Sequence, residues 1–342
     1  LLLAVSGGID SIVLTDLVYK SGFDFVMAHC NFQLRGDESK RDETFVRSME
    51  TKYGKPVLVK QFDTEKYAAE NKLSIQEAAR DLRYAWFEEI VNSQWSMVNK
   101  DASLIHHSPL TIQLVTAHNA NDNIETMLMH FFRGTGIQGI AGIPMKAGKP
   151  YPLARPLLFA SKTDLLQYAS AHSIAFREDA SNAHTDYTRN AVRLQLMPVL
   201  KAIFPTVEQN LRNNLARFQD AALLTQSALE KICQKLTVTE KDCMKIPVLR
   251  LQQLETPATV LHHLLQPVGF TAAQLPDALQ LLQAETGKYI VSPTHRLLRN
   301  RAWLMLTPLT NAAEAVYIIE AGEQAVAFPK GEIRLQQMDK PD

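Results

Sequence analysis

The sequence predicts an α/β protein: a parallel-sheet domain first, then a smaller, mainly helical domain with short strands. Short, wholly apolar runs alternate with helical patterns from Leu1 to Phe132, the signature of parallel strands covered on both faces. After Pro205 the pattern changes to long helices and then to short basic strands. At 342 residues the chain also exceeds what one hydrophobic core fills. We therefore expect domains at 1–205 and 206–310, with 311–342 as the start of a further, truncated C-terminal domain.

Leu1–Val5 reads as a strand, and Ile12, Val13, Leu14, Leu17 and Val18 have helical spacing through Lys20. Phe25–His29 is a second strand, and a helix starts near Asp37 with Phe45, Val46 and Met49 on its buried face. Pro56–Lys60 is a third strand. Ser74-Ile75-Gln76-Glu77 has the form of a capping box and opens a helix reaching about Val91. Asn92 to Leu110 is polar and aperiodic, hence a surface loop, and Thr111–Ala117 is a fourth strand leading to a helix over about Asp122–Phe132. Gly134 to Pro156 is rich in glycine and proline and reads as an irregular segment. Val207 to about Leu236 is one long helix, and Thr256–Leu265 and Ala272–Ala284 are two more. Gly287 to Leu306 alternates as short strands with basic turns, and a small β unit begins near Ala315.

Composition excludes several classes. Hydrophobic residues make up 46% and no run approaches a membrane span, so no membrane partner is expected. Cys30, Cys233 and Cys243 are scattered, which excludes a disulfide framework or structural zinc and fits a reducing cytoplasm. The 36 basic residues balance the 36 acidic ones, so any nucleic acid must be held by local patches.

Ser6-Gly7-Gly8-Ile9-Asp10-Ser11 lies between the first strand and the first helix. Glycines let backbone N–H groups turn toward an anion, and the helix start adds its positive dipole end. Ser6 and Ser11 add hydroxyl donors. Asp10 suits an anion site only where a divalent cation bridges it to phosphate oxygens, so the loop predicts a nucleotide with Mg²⁺. A plain glycine turn with a Ser or Asp cap is the competing reading. Neither a G-x-x-x-x-G-K-[ST] nor a G-x-G-x-x-G pattern fits.

S-G-G-x-D-S after a strand resembles the PP-loop of the N-type ATP pyrophosphatases, an adenine nucleotide α-hydrolase-like fold. The resemblance implies that Ser6, Gly7, Gly8, Ile9, Asp10 and Ser11, with Ala28 and His29 on the second strand, bind ATP.

Five further stretches resemble the tRNA(Ile)-lysidine synthase family. Ala28 to Arg35 is similar to H-x-N-H-x-L-R, with Phe32 replacing the second histidine. Gln76 to Tyr84 looks like E-x-x-A-R-x-x-R-Y, placing Arg80 and Arg83 on one helix face; by spacing alone this is also a solvated basic stripe. Thr116 to Thr126 is similar to T-A-H-H-x-D-D-Q-x-E-T, with Asn119, Asn121 and Asn123 as departures. Asp122 and Glu125 fall on a helix's first turn, where carboxylates also serve as plain helix partners. Arg155 to Leu158 matches R-P-L-L, and Glu178 to Arg193 resembles D-x-S-N…Y-x-R-N-x-I-R. Arg189 and Arg193 are four apart, a spacing suited to adjacent phosphates and equally to a surface helix.

The family resemblance implies ATP-dependent adenylation of C2 of the wobble cytidine 34 in a CAU-anticodon tRNA(Ile), then attack by free L-lysine with release of AMP. It implies catalytic roles for Asp10, Asp122, Glu125, His118 and Arg83, with Asp10 and Asp122 at the metal and Glu125 near lysine. Arg35, Arg189 and Arg193 become candidate tRNA contacts, joined by Arg296 and Arg299 of the basic turn near Lys288. A second copy of the chain is a further expected partner. Rival readings are tRNA thiolation, which uses paired cysteines, small-molecule amidation, and tRNA binding with a merely structural ATP.

Overall fold

The computed structural model describes residues 1–100, 112–148, 152–177, 188–309, 325–328 and 331–334. It divides into two compact units, Leu1–Leu224 and Thr225–Asp342.

In the first unit, β1 (Leu2–Ala4) leads into α1 (Ile9–Lys20), β2 (Val26–Asn31) into α2 (Asp37–Tyr53), and β3 (Val57–Gln61) into α3 (Thr64–Asn71) and α4 (Ile75–Lys100). After β4 (Leu114–Val115) come α5 (Ala120–Arg133), the single turn α6 (Ile137–Ile140), β5 (Lys146–Ala147) and β6 (Leu153–Ala154). A 3-10 turn at Pro156–Phe159 precedes α7 (Lys162–Ala171); α8 (Thr188–Ala191), α9 (Met197–Ile203) and α10 (Val207–Leu236) follow. The sheet order is β3-β2-β1-β4-β6-β5, parallel except for β5 against β6. From β1 the chain builds outward to β3 and then returns to place β4 on the other side of β1. That reversal is the topological switch point, where open α/β sheets bind ligands beyond the strands' carboxyl ends.

Neighbouring strand residues serve opposite cores. Leu3, Met27 and Val115 pack with α1, α2 and α7, whereas Leu2, Ala28 and Leu114 face Trp86, Phe87 and Ile90 of α4. The period-two pleat imposes this division, which is why these runs are apolar throughout.

Several boundaries differ from the sequence reading. α1 begins at Ile9, so Asp10 and Ser11 belong to its first turn. α4 carries on to Lys100 through the start of the expected loop; no glycine or proline interrupts Asn92 to Lys100, and a helix without a breaker propagates. The rest of that loop, 101–111, lies outside the described residues. β4 shrinks to two residues because only Leu114 and Val115 have partners on both β1 and β6. The irregular Gly134–Pro156 segment supplies the sheet edge, β5 and β6. α3 and α7 are additional helices, α7 opened by a Ser161–Asp164 capping box.

The pattern change at Pro205 marks the start of α10. Val207 and Leu215 of that helix pack with Ile124, Met127 and Leu128 of α5. In the second unit, β7 (Val238–Glu240), β8 (Cys243–Pro247), β9 (Tyr289–Val291), β10 (His295–Asn300) and β11 (Trp303–Pro308) form an antiparallel sheet ordered β7-β8-β11-β10-β9. Ile246, Leu297, Leu304 and Leu306 cover one side of it with α11 (Val248–Gln252), α12 (Pro257–Leu265) and α13 (Leu275–Gln280). The expected helix at Ala272–Ala284 is a 3-10 turn at Ala272–Gln274 followed by the short α13. A hairpin of β12 (Ala325–Phe328) and β13 (Gly331–Arg334) follows. Among the described residues no helix is long and apolar enough to cross a membrane.

Candidate active site

The glycine-rich loop closes on itself at the end of β1. Gly7 has φ +93°, a conformation side chains resist, and a Cβ there would sit 3.4 Å from Val46 Cγ2. Ser11 Oγ accepts from the backbone N–H groups of Ser6 and Gly7, both at 3.2 Å, and donates to Gly8 O at 2.9 Å. Gly8 caps α1 with no side chain over its amides. Arg177 fastens the loop from outside, its N–H donating to Gly7 O at 2.9 Å. Buried His29 donates from Nδ1 to Val5 O at 2.8 Å, and burial holds its imidazole below the ordinary histidine range. His29 therefore shapes the loop as a neutral strut.

On the other side of the switch point, β4 delivers Thr116, His118 and the start of α5. Asn119 caps that helix: its Oδ1 accepts from Asn121 N at 2.9 Å and Asp122 N at 3.1 Å, and Asp122 Oδ2 accepts from Asn119 N at 3.0 Å. The other departures from the family pattern are ties as well. Asn121 Oδ1 accepts from Lys162 N at 2.9 Å, and Asn123 Oδ1 accepts from the buried Ile143 N at 2.7 Å. Asn119 thus holds the turn that carries Asp122, while Asn121 and Asn123 tie α5 to the chain at Lys162 and Ile143.

The two stretches meet on one cleft of about 320 Å³. Its walls include Ser6, Asp10, Ser11 and Ala28 from the β1 and β2 side, His118 and Asp122 from the β4 side, and Arg80, Arg83 and Arg189. Three arginines against two carboxylates make it a site for a polyanion. Burial pushes the His118 imidazole down to about 4, so it is neutral at physiological pH, with Nδ1 2.9 Å from Thr116 Oγ1. Arg83 lies over the Phe32 ring at 5.3 Å and Arg80 over Tyr84 at 5.0 Å, cation–π contacts that steer both guanidinium groups at the cleft wall. Cys30 also lines the cleft, with burial holding its thiol up at about 12.

Glu125 is 3% exposed and gripped from two sides. Arg193 donates to it from Nε at 2.6 Å and from Nη2 at 3.0 Å, and Arg189 Nε lies 3.4 Å away. Burial pushes the Glu125 carboxyl above its ordinary range, while Arg193 opposes that shift. Arg189 also donates to Thr126 Oγ1 at 2.6 Å, and Arg193 Nη2 reaches Asp122 Oδ1 at 3.5 Å. Arg193 sits on a π-helical stretch, Val192–Leu196, a widening that often accompanies function. The pair expected at tRNA phosphates thus stands on the carboxylates of α5.

Other expected contacts lie elsewhere. Arg35 pairs with Asp42 at 3.4 Å, facing a neighbouring cavity of about 200 Å³ with His29 and Arg177. In the second unit Arg296 lies 5.8 Å over the Tyr289 ring, and Arg299 has buried Nε and Nη1 without a hydrogen-bond partner among the described residues. Ile9 is buried and serves the core. The expected stretch from Glu178 to Tyr187 lies outside the described residues.

The sequence reading missed Lys162. Its Nζ donates to Asp10 at Oδ1 (2.8 Å) and Oδ2 (3.0 Å) across 152 positions. The only local signal was its place shortly after Arg155-Pro156-Leu157-Leu158.

The carboxylates fit one implied metal. Among the described residues no cluster of three His, Cys, Asp or Glu side chains makes a complete cage. Asp10 and Asp122 do share the cleft with the phosphate loop. Mg²⁺ is commonly held by one or two carboxylates plus substrate phosphates, and this donor set suits it.

The PP-loop domain family matches residues 1–200, and the TilS substrate binding domain family matches residues 239–309. A tRNA(Ile)-lysidine synthase from Parabacteroides distasonis is 33% identical over 337 residues, spanning 98% of this chain and 72% of the relative. One from Bacteroides thetaiotaomicron is 35% identical over 306 residues, 90% of this chain and 67% of the relative. One from Porphyromonas gingivalis is 33% identical over 332 residues, 96% and 68%. On these matches, the chain belongs to the tRNA(Ile)-lysidine synthase family, ATP-dependent ligases built on a PP-loop domain.

Proposed function

We propose that this protein joins free L-lysine to C2 of cytidine 34 in the CAU anticodon of an isoleucine tRNA, using ATP with Mg²⁺ in the cytoplasm. The observation that carries the reading is the convergence of the Ser6–Ser11 loop with His118 and Asp122 on one cleft at the switch point.

In the first half-reaction the C2 oxygen attacks the α-phosphate of ATP, forming a carbonyl-adenylate and releasing pyrophosphate. The loop amides and α1's positive end would hold the departing phosphates. Asp10 and Asp122 would hold Mg²⁺, which neutralises phosphate charge when bound. Arg83, at the cleft wall, would stabilise charge building on the α-phosphate. In the second half-reaction the ε-amine attacks C2 and AMP departs. The amine must first lose a proton, and the Asp122 carboxylate or the neutral His118 would receive it. Glu125, fixed by Arg193, would order the wall that the lysine approaches. Holding amine and adenylate together contributes roughly 7–11 kcal/mol in well-oriented systems.

Thiolation on the same scaffold is disfavoured because that chemistry usually carries sulfur on paired cysteines, and Cys30, Cys233 and Cys243 are scattered along the chain. The Arg296–Tyr289 face of the second unit would contribute salt-sensitive tRNA contacts.

The test is incorporation of labelled lysine into an isoleucine CAU transcript, with AMP and pyrophosphate followed in parallel. Lysine incorporation that disappears with uridine at the wobble position, and with Asp10→Ala, is the expected result. ATP cleavage without lysine transfer would redirect the reading to another nucleophile.

A further inference from the structure

The loop lacks the lysine that phosphate-binding loops of the G-x-x-x-x-G-K-[ST] kind place at the helix start; Asp10 and Ser11 stand there instead. The fold supplies a lysine from elsewhere. Ser161 caps α7 so that the helix begins at Lys162, and two bonds tie this point to the start of α5: Lys162 N to Asn121 Oδ1 at 2.9 Å and Ala120 N to Ala160 O at 2.8 Å. α7 is anchored on α1 as well, through Tyr168 Oη donating to Asp16 at 2.9 Å. The backbone of Lys162 is therefore fixed, while its side chain is 44% exposed.

The Lys162–Asp10 ion pair is poorly suited to a stability role. Its partners are 44% and 31% exposed, and solvent-screened pairs contribute roughly 0–1 kcal/mol. What the pair does is neutralise the one carboxylate in the first turn of α1, at the mouth of an anion site. Lys162 and Asp10 also line a second cavity of about 220 Å³, and Asp10 lines the nucleotide cleft as well, so the ammonium is bonded to a carboxylate that belongs to both.

We propose that Lys162 is a phosphate-binding residue of the nucleotide site: its ammonium holds Asp10 in the free protein and turns to the phosphate oxygens when nucleotide binds. It is then the mobile counterpart of the missing loop lysine, a compact cation with three donors. The proposal rests on the reading that the Ser6–Ser11 loop holds the pyrophosphate portion of ATP.

The experiment is a double-mutant cycle on pyrophosphate binding, measured calorimetrically in EDTA with the full chain, with thermal unfolding of each variant as a folding control. Asp10→Asn releases the ammonium from its carboxylate, so this variant is the reference. Adding Lys162→Met is expected to weaken pyrophosphate binding at least tenfold, and Lys162→Arg in its place to recover most of it. Equal affinity of Asp10→Asn and Asp10→Asn/Lys162→Met would overturn the proposal and leave Lys162 as a partner of Asp10 alone. Folded Asp10→Asn protein that binds no pyrophosphate would instead overturn the reading of the loop, and this proposal with it.

Discussion

Arg193 holds Glu125 by two nitrogens, at 2.6 and 3.0 Å, and so converts an almost fully buried carboxylate into a fixed anion beside the cleft. Bidentate geometry makes the contact orientational as well as electrostatic. Removing either partner leaves a charge in a place chosen for a pair.

Arg193→Met is therefore expected to destabilise the first unit by about 2–3 kcal/mol, somewhat below a fully buried pair because the arginine is part-exposed. Adding Glu125→Gln should restore most of that stability without restoring lysine transfer. Urea denaturation of the two variants beside wild type checks the first statement, and labelled-lysine incorporation the second. Equal stability of Arg193→Met and wild type would show that the pair is not coupled to folding.

Gly7→Ala places a side chain at φ +93° with Val46 Cγ2 at 3.4 Å. Such strain costs about 1–3 kcal/mol, and relieving it moves the loop amides, so ATP affinity falls together with stability. Gly22→Ala is the control: φ is +75°, nothing lies within 4 Å of a Cβ there, and the position follows the opposite end of α1 from the loop. It should lose stability and keep ATP affinity, which calorimetric titration of both variants decides.

The neutral His118 makes stability depend on pH. Its folded pKa, about 4, lies below the unfolded value near 6.5, so the unfolded chain takes up the proton first as pH falls. The stability present above pH 6.5 is lost between there and pH 4, roughly 2 kcal/mol of it by pH 5. His29, shifted the same way, adds to the loss. His118→Gln, which can keep a hydrogen bond to Thr116, should lose less stability between pH 7.5 and pH 5 than wild type does. An unchanged difference would mean that the imidazole is not held neutral.

Arg296, on the second unit, is expected to contribute one phosphate contact. Arg296→Ala should weaken tRNA binding and lower the slope of log affinity against log salt by about 1. Filter binding of the transcript across a salt series reads both. A parallel shift with no change of slope would assign Arg296 a structural role against Tyr289.

Much of this protein is written locally. Wholly apolar runs at Leu1–Val5 and Phe25–His29 announce buried parallel strands because both faces of the sheet are covered, as Leu2 and Leu3 show by entering different cores. The glycine pair before Asp10 predicts a nucleotide site because backbone conformation and residue type act within a few positions of each other. The capping box at Ser74 and Glu77 was legible for the same reason, with Ser74 N donating to Glu77 Oε2 at 3.0 Å.

Tertiary structure decided what depends on separation along the chain. The spacing of Arg189 and Arg193 says that they are neighbours; only the packed fold turns them onto Glu125 and Asp122, because whether a basic helix face meets water, phosphate or a carboxylate depends on what is opposite it. Asn119, Asn121 and Asn123 looked like departures from a pattern, and the fold made them caps and ties to Lys162 and Ile143. Lys162 reaches Asp10 across 152 positions. No local propensity encodes that contact; it exists because α7 packs on α1 and its first residue is pinned at the start of α5.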